Sequence, residues 1–357
     1  MRTLRLMVDP HDLSQSASRS SIETAAAILR NGGTVAFPTE TVYGLGANAL
    51  NSEAVAKIFA AKQRPSWDPL IVHVSNRDML HRVAASIPRS ADRLMDIFWP
   101  GPLTVLLPRH PSVPDIVTAG RPRVGVRMPE HPVAQALIAA AGLPLAAPSA
   151  NTFGRISPTL AQHVAEDLDG RIDAILDSGE TTHGLESTVV DTCEEPCIVY
   201  RPGVVTLEQI QAVCVGAVAF REMAALPGVE SRVEPQSLPS PGVGLRHYAP
   251  RARLVLVDGE GSAQLEAFAQ AILAAESTGE RLGLMLADAF ETAAIGSRGV
   301  VYRWGEWEDL EELAQRLFAG LRWLDAAGAT VIVCPLPPAT GLGVAIRDRL
   351  RKAARTE

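Results

Sequence analysis

The sequence predicts an α/β protein of two domains, and three observations support this prediction. The chain has 357 residues, more than one domain usually holds. Apolar runs rich in β-branched residues alternate with segments of helical periodicity along most of it. The stretch "ALPGVESRVEPQSLPSPGVGLRHYAP", rich in proline, glycine and serine, interrupts that alternation. We therefore predict a first domain at 1–215, a linker at 216–250 and a second domain at 251–357.

In the first domain, a helix from Ser21 to Leu29 precedes the strand "TVAFP". A second helix, capped by Ser52 and stopped before Pro65, precedes the strand "LIVHVS". Further strands are predicted at "LTVLLP", "VGVRMP", "PLAAPSA", "AILDSG" and "STVVD", with helices at "HPVAQALIAAA" and "SPTLAQHVAEDL".

The second domain alternates more regularly, from the strand "RLVLVD" to the helix "GVAIRDRLRKAA", which indicates a small Rossmann-like parallel sheet. Its "VDGEGSAQ" lacks the third glycine of a dinucleotide fingerprint, so we predict no nucleotide site there.

Composition excludes several classes of protein. Hydrophobic residues make up 47% of the chain and charged residues 20%, which is typical of a soluble globular protein. The net charge of -7 argues against a surface that coats nucleic acid. The N-terminus lacks the apolar core of a secretory signal, and no later apolar run is long enough to cross a bilayer. The four scattered cysteines favour reduced thiols. We predict a cytoplasmic protein with no membrane partner.

Polar residues crowd the ends of several predicted strands. "FPTETVYGLGANA" places hydroxyls and bare backbone directly after a core strand, as a polar ligand would require. In "AAKQRPSWDPLIVH", Lys62 and Arg64 leave a helix end near Asp68 and His73, a mixture suited to an anion. The simpler alternative is that these two cations only complement the helix dipole.

Three further clusters allow two interpretations each. Arg127, within "VGVRMPEHP", either extends to solvent from an edge strand or clamps a carboxylate with its planar guanidinium. In "AAPSANTFGRISPT", Ser149 and Ser157 suit phosphate binding, but Ser157 also suits a helix N-cap and Asn151 a turn. The third cluster flanks two strands with Ser187, Thr188 and Arg201, and such residues are also common in surface hairpins.

The order of these motifs, from "PTETVYGLGANA" through "KQRP", "WPGPLTVLL", "GLESTVVD" and "RPG" to "SPGVGLRHYAP", resembles that of the YrdC-type L-threonylcarbamoyladenylate synthases. The linker and second domain resemble the long form of that family. The resemblance implies a twisted α/β sheet domain around a concave pocket, followed by a smaller Rossmann-like C-terminal domain.

The resemblance also implies a reaction. L-Threonine, bicarbonate or CO2, and ATP would give threonylcarbamoyl-AMP and pyrophosphate, for N6-threonylcarbamoyl modification of adenosine 37 of tRNA. Mg2+ would accompany the ATP, because no carboxylate cluster in the sequence suggests a separate site. A downstream tRNA threonylcarbamoyl transferase would use the product, and weak tRNA binding is compatible with the family.

Residue roles follow from the same resemblance. The catalytic tetrad would be Lys62, Arg64, Ser149 and Asn151. The threonine site would comprise Thr41, His73, Arg127, Ser187 and the backbone at Ala147. The ATP site would comprise Arg64, Asp68, Arg123, Ser149, Ser157, Arg201 and Tyr248. Lys62 and Arg64 would neutralise charge as the threonine carbamate attacks the α-phosphorus, while Arg127 holds the threonine carboxylate.

Three positions depart from the family pattern: Asp68 where asparagine is common, Gly244 where lysine is usual, and Arg123 where threonine is usual. Asp68 brings a negative charge near the expected phosphates, and Arg123 either adds a phosphate contact or faces solvent. We expect "SPGVGLRHYAP" to form a lid that excludes water from the labile carbamate.

Two other functions remain open on sequence alone. One is a carbamoyl-adenylate-forming enzyme of the same fold, although the modules that accompany that activity are absent from this sequence. The other is an RNA-binding module.

Overall fold

The structure is a computed structural model that describes residues 2–220 and 247–355. In the first part the strands are β1 (Leu4–Met7), β2 (Val35–Phe37), β3 (Gly44–Asn48), β4 (Ile71–His73), β5 (Leu103–Pro108), β6 (Arg123–Arg127), β7 (Leu145–Ala146), β8 (Ala174–Asp177), β9 (Thr188–Asp191), β10 (Ile198–Arg201) and β11 (Val218–Ala219). The helices there are α1 (Ser16–Arg30), α2 (Ser52–Lys62), α3 (Arg77–Leu80), α4 (Arg89–Phe98), α5 (Asp115–Thr118), α6 (Pro132–Ala141), α7 (Ala161–Leu168) and α8 (Leu207–Val213).

Within the described residues these strands form one mixed sheet in the order β1-β8-β2-β3-β7-β4-β6-β5-β9-β10-β11. At its centre β4 and β6 run parallel, and the register pairs His73 with Arg127. Because paired residues on adjacent strands point to the same face, this register brings the two side chains together.

The second part is a smaller parallel α/β unit. Its strands are β12 (Arg253–Val257), β13 (Leu282–Ala287), β14 (Val300–Gly305) and β15 (Val331–Pro335), and its helices are α9 (Gly261–Ser277), α10 (Leu310–Ala326) and α11 (Leu342–Ala354), with a 3-10 helix at Asp288–Ala294. The strands pair in parallel in the order β12-β15-β13-β14, so the last strand lies between the first two.

The apolar core of the second unit extends across the domain boundary. It includes Val42, Ile156 and Leu185 from the first unit, packed with residues such as Phe318 and Leu321 of α10. Tyr248, from the segment that joins the units, is buried in the same core. Loops of the first unit are therefore fixed by side chains of the second.

The α/β class and the strands and helices predicted for both units agree with the structure. Sequence periodicity did not reveal the strands β1, β3 and β11 or the helices α3, α4, α5 and α8. Asn51 rather than Ser52 caps α2, since the Asn51 side chain accepts from the backbone N–H groups of Glu53 and Ala54. Ser157 does not cap α7, because that helix begins at Ala161 with Leu160 at its N-cap. Strand β11, after the expected boundary at 215, still pairs with β10. Residues 221–246, which include most of the expected lid, lie outside the described residues. None of the described helices has the length and apolar character needed to cross a membrane.

Candidate active site

A partly open cavity lies where the central strands meet the second unit. Nine residues singled out in the sequence line it: Thr41, Arg64, His73, Arg127, Ala147, Ser149, Ser187, Arg201 and Tyr248. Residues of both arginine-containing motifs and both serine-containing motifs therefore meet at one place.

The stretch that follows β2 builds one wall through its own hydroxyls. Thr39 donates a hydrogen bond to the carbonyl of Val42 at 2.7 Å and accepts from the backbone N–H groups of Thr41 and Val42, each at 3.2 Å. These bonds fix a tight turn without regular secondary structure. The turn presents the Thr41 hydroxyl to the cavity.

Arg127 is 4% exposed and is held on three sides. Its Nη1 donates to Thr41 Oγ1 at 2.8 Å, its Nε donates to the carbonyl of Gly101 at 3.2 Å, and its Nη2 lies 2.6 Å from Glu40 Oε1. Burial raises the pKa of Glu40, but the Arg127 charge and the hydrogen bonds to the carboxylate together outweigh burial and lower the pKa overall. Because β6 lies between β4 and β5, Arg127 belongs to an inner strand, and the interpretation as an edge residue reaching for solvent is wrong.

His73 lies beside Arg127 and is neutral at physiological pH. Burial, with a further contribution from the Arg127 charge, lowers the pKa of His73 to about 3. Within the described part of the chain, His73 Nδ1 is buried and has no hydrogen-bond partner. Buried polar atoms are rarely left so, which indicates that a ligand completes this end of the cavity.

At the other end, Arg64 is organised by the loop that follows α2. Its Nη2 donates to the carbonyl of Pro69 at 2.8 Å and lies 2.9 Å from Asp68 Oδ2, while its Nε donates to the carbonyl of Asp68 at 3.1 Å. Asp68 does not line the cavity. It therefore orients Arg64, which accounts for an acidic residue so close to a site expected to bind phosphate.

Lys62 occupies a different position from the one the sequence suggested. The residue is 1% exposed, and its Nζ donates to the carbonyls of Ser149 at 2.6 Å and Asn151 at 2.5 Å. Burial lowers the pKa of Lys62 well below its ordinary value, and Arg64 lowers it further. Lys62 thus lies behind the cavity wall and shapes the loop that carries Ser149 and Asn151.

That loop is fixed from several directions. The Asn151 amide donates to the carbonyls of Thr152 at 2.8 Å and Arg155 at 2.9 Å, which is the turn-forming role considered above. The Ala147 N–H donates to the carbonyl of Ile71 at 2.9 Å, so only the rest of this backbone faces the cavity. Of Ser149 and Asn151, only Ser149 lines the cavity.

The third wall comes from β9 and β10. Arg201 donates from Nε to the carbonyl of Ser187 at 3.0 Å and from Nη2 to its Oγ at 3.1 Å, so it sets the orientation of this serine. Ser157 lies behind the wall and donates its hydroxyl to Glu186 Oε1 at 2.5 Å. Ser157 thus reaches the cavity through Glu186.

His247 and Tyr248 close the cavity from the side of the second unit. Tyr248 is 1% exposed, stacks on Phe318 with ring centroids 5.5 Å apart, and has a positive φ of 65°. The adjacent Ala249 N–H donates to the carbonyl of Gly154 at 2.8 Å. The expectation that Tyr248 reaches back to the site agrees with this placement.

Arg123 does not belong to this cavity. It starts β6, four residues before Arg127, and its guanidinium pairs with Asp191 and Glu194. Because its Nη1 and Nη2 are paired with carboxylates at the far end of the strand, a role in phosphate binding has no geometric support.

The sequence alone suggested no role for Glu40 or Glu186, and it suggested His247 only as part of the expected lid. The motifs "PTET" and "GLEST" contain these two glutamates, but the predicted contacts involved only hydroxyl side chains and arginines. A buried arginine requires a carboxylate partner, which is the signal that would have found them.

The described residues contain no group of three or more His, Cys, Asp and Glu side chains arranged to hold a metal ion. The cysteines in them are free thiols, as expected.

The structure is a two-domain α/β protein whose cavity is lined by arginines, a neutral histidine and serines. These features define it, by class, as an enzyme for small anionic substrates. Residues 27–203 match the Sua5/YciO/YrdC family model, described as "Telomere recombination". Residues 205–355 match the model "Threonylcarbamoyl-AMP synthase, C-terminal domain".

Individual relatives cover nearly the whole chain. The threonylcarbamoyl-AMP synthase of Bacillus subtilis is 43% identical over 355 residues, 99% of this chain and 98% of that protein. That of Pyrococcus abyssi is 41% identical over 333 residues, 93% of this chain and 94% of the relative. The crystal structure of P. abyssi Sua5 complexed with L-threonine has a TM-score of 0.87 at 40% identity, covering 99% of this chain and 98% of the other. The chain therefore belongs to the threonylcarbamoyl-AMP synthase family, and the predicted family, enzyme class and fold are confirmed.

Proposed function

We propose that this cavity makes threonylcarbamoyl-AMP from L-threonine, bicarbonate and ATP, with the threonine end at Arg127 and His73 and the nucleotide end at Arg64. The observation that carries the proposal is the buried His73 Nδ1, which has no hydrogen-bond partner among the described residues and lies on the central strands beside the Arg127 guanidinium. A carboxylate bound there would supply the missing partner, and a guanidinium suits it better than any other cation. Ser187 and Thr41 offer hydroxyls beside the same position.

The threonine ammonium first releases one proton to solvent; the resulting amine then adds to the bicarbonate carbon, and loss of the bicarbonate hydroxyl with a second nitrogen proton gives a carbamate and water. A carbamate oxygen then attacks the α-phosphorus of ATP, the bond to the β-phosphate oxygen breaks, and pyrophosphate leaves. The carbamate is itself the nucleophile, so the protein has to position two anions and stabilise charge. Arg64 and Arg201 line the cavity where the phosphates would lie.

The structure changes the roles proposed within the tetrad. Arg64 and Ser149 face the cavity, whereas Lys62 and Asn151 hold the loop that presents Ser149. We therefore assign ATP contacts to Arg64, Ser149, Arg201 and Tyr248, assign support to Asp68 and Ser157, and leave Arg123 out.

Mg2+ remains part of the proposal as a companion of ATP. The described residues offer no cluster that would hold it by protein ligands alone, although Asp68 Oδ1 is buried without a hydrogen-bond partner. We derive no step through the metal. Transfer of the product to tRNA by a downstream threonylcarbamoyl transferase, weak tRNA binding and a cytoplasmic location are likewise proposals.

The test is pyrophosphate release from ATP by the purified chain, with L-threonine and bicarbonate each supplied or omitted and the adenylate identified by mass. We expect release that requires both co-substrates, with L-serine as the matched control that lacks only a methyl group. Release that is indifferent to threonine would contradict the proposal and favour a different nucleotide-dependent activity. Tight RNA binding without ATP consumption would favour the binding module.

A further inference from the structure

The loop that carries Glu186 and Ser187 lies between the cavity and the second unit. Leu185 points into the core of the second unit, whereas Glu186 and Ser187 line the cavity. Gly184 has a positive φ of 68°, and a Cβ atom there would fall 2.4 Å from the carbonyl oxygen of Gln315 in α10. The backbones of the two units therefore touch at the start of this loop.

Arg349 of α11 makes the polar contact between the second unit and this loop. The residue is fully buried, and its Nε donates to Glu186 Oε2 at 2.7 Å. Its Nη2 donates to the carbonyl of Glu186 at 3.4 Å and its Nη1 to the carbonyl of Pro202 at 3.0 Å. Arg349 thus spans the loop before β9 and the turn after β10.

Two cavity-lining groups depend on the same guanidinium. Glu186 Oε1 accepts the hydroxyl of Ser157 at 2.5 Å, so the carboxylate is bound from both sides. The Arg349 guanidinium carbon also lies 5.3 Å from the centroid of the Tyr248 ring. The same ring stacks on Phe318 of the second unit. Arg349 is therefore placed to set the positions of Glu186 and Tyr248 together.

We propose that Arg349 is a positioning residue for the reaction, through which the C-terminal domain holds Glu186, Ser187 and Tyr248 in the geometry that binds substrate. A buried carboxylate that loses its partner must find water or another cation. Glu186 without Arg349 would turn into the cavity, where it would repel the threonine carboxylate and the ATP phosphates. The inference rests on the proposed threonine and ATP sites.

The matched control is Arg347, two residues earlier in the same helix. It is 8% exposed, pairs with Asp258 at 2.6 Å and donates to the carbonyl of Pro337 at 2.7 Å, contacts that remain inside the second unit. Replacing either arginine removes an ion pair made by a buried guanidinium, although the Asp258 partner of Arg347 is exposed. Of the two, only Arg349 reaches the cavity wall.

The experiment compares Arg349→Met with Arg347→Met in the full chain. It measures thermal stability, KM and kcat for threonine and ATP, and threonine binding by calorimetry without ATP. We expect both variants to lose stability. The threonine KM and Kd should rise about tenfold or more, roughly 1.4 kcal/mol, in Arg349→Met and stay within about twofold in Arg347→Met. Equal threonine constants in the two variants would overturn the proposal.

Two further variants keep the test decisive. Arg349→Lys retains the positive charge and serves if Arg349→Met does not fold. Because one ammonium cannot reach all the acceptors of the guanidinium, the threonine KM should again rise. An unchanged threonine KM in a folded Arg349→Lys variant would refute the positioning role. Adding Glu186→Gln to Arg349→Met removes the unpaired charge, so threonine binding should recover. If the double variant bound threonine no better than Arg349→Met alone, the effect of Arg349 on threonine binding would not act through Glu186. If the native chain released pyrophosphate without threonine, the proposed function would fail before this inference was tested.

Discussion

Lys62 and Arg127 are both buried cations in motifs beside the cavity, yet they face in different directions. Arg127 directs its guanidinium into the cavity and is held there by Glu40, Thr41 and Gly101. Lys62 directs its ammonium into the protein, onto the carbonyls of Ser149 and Asn151. A cation in a signature motif can thus act on a ligand or on the loop that binds it, and the two roles have different experimental consequences.

The largest effect is expected for Arg127→Lys. This change keeps a positive charge beside Glu40 but removes the planar pair of donors that suits a carboxylate. Threonine affinity should fall about 100-fold, roughly 2.7 kcal/mol, with ATP affinity changed much less. Calorimetry with each substrate alone measures both constants. An unchanged threonine affinity would show that the carboxylate binds elsewhere and would end the contrast with Lys62.

Lys62→Met should act first on stability. The methionine side chain has a similar length but leaves the buried carbonyl of Asn151 and the partly buried carbonyl of Ser149 without a donor, and each such loss costs about 1–3 kcal/mol. We expect the unfolding free energy to fall by about 2–6 kcal/mol and kcat/KM to fall with it as the Ser149 loop shifts.

Lys57→Met in the same helix is the control for Lys62→Met, because Lys57 is exposed and donates only to the carbonyl of Gly32. Denaturant titration should show a change within about 1 kcal/mol for this variant. If Lys62→Met instead kept full stability and lost only ATP affinity, its charge would act on the phosphates after all.

His73 gives the Arg127 end of the cavity a pH dependence. Its pKa is about 3 in the folded chain and near 6.5 when unfolded, so the folded chain binds fewer protons between these values. Its favourable contribution is complete above pH 6.5 and declines as the pH falls toward 3, by up to about 1.4 kcal/mol per pH unit.

Replacing His73 by phenylalanine should therefore reduce the stability lost between pH 7 and pH 5, measured by denaturant titration at both. His163, whose pKa burial lowers to about 4, should respond in the same direction outside the cavity. The control is the same substitution at His11, which is exposed. If the native chain and His73→Phe lost the same stability between pH 7 and pH 5, His73 would not be a source of the acid sensitivity.

The smallest effect on activity is expected for Arg123→Gln. Arg123 lies on the same strand as Arg127, but its pairs with Asp191 and Glu194 are remote from the cavity. Activity should stay within about twofold, while stability should fall by about 1–3 kcal/mol because the buried Asp191 carboxylate loses its partner. A large rise in the KM for ATP would restore this arginine to the nucleotide site.

The sequence predicted the α/β class and the central elements because their periodicity is local. The strands at Val35–Phe37 and Leu103–Pro108 and the helix at Ser52–Lys62 carry their own hydrophobic patterns and ends. Strand β11 escaped detection because it has two residues and forms by pairing with β10 at the sheet edge. Helix α8 escaped detection because its seven residues show little periodicity of their own; it packs against α4.

By itself, the sequence determined which residue types meet at the cavity, since the motifs at Thr41, His73, Arg127, Ser149 and Ser187 all reach it. Only the tertiary structure decided which way each charge points. Lys62 points inward to the carbonyls of Ser149 and Asn151, Arg127 pairs with Glu40, and Glu186 pairs with Arg349 at a sequence distance of 163 residues. The physical reason is that a buried charge is oriented by the partner that compensates it, and that partner is supplied by the fold rather than by neighbouring residues.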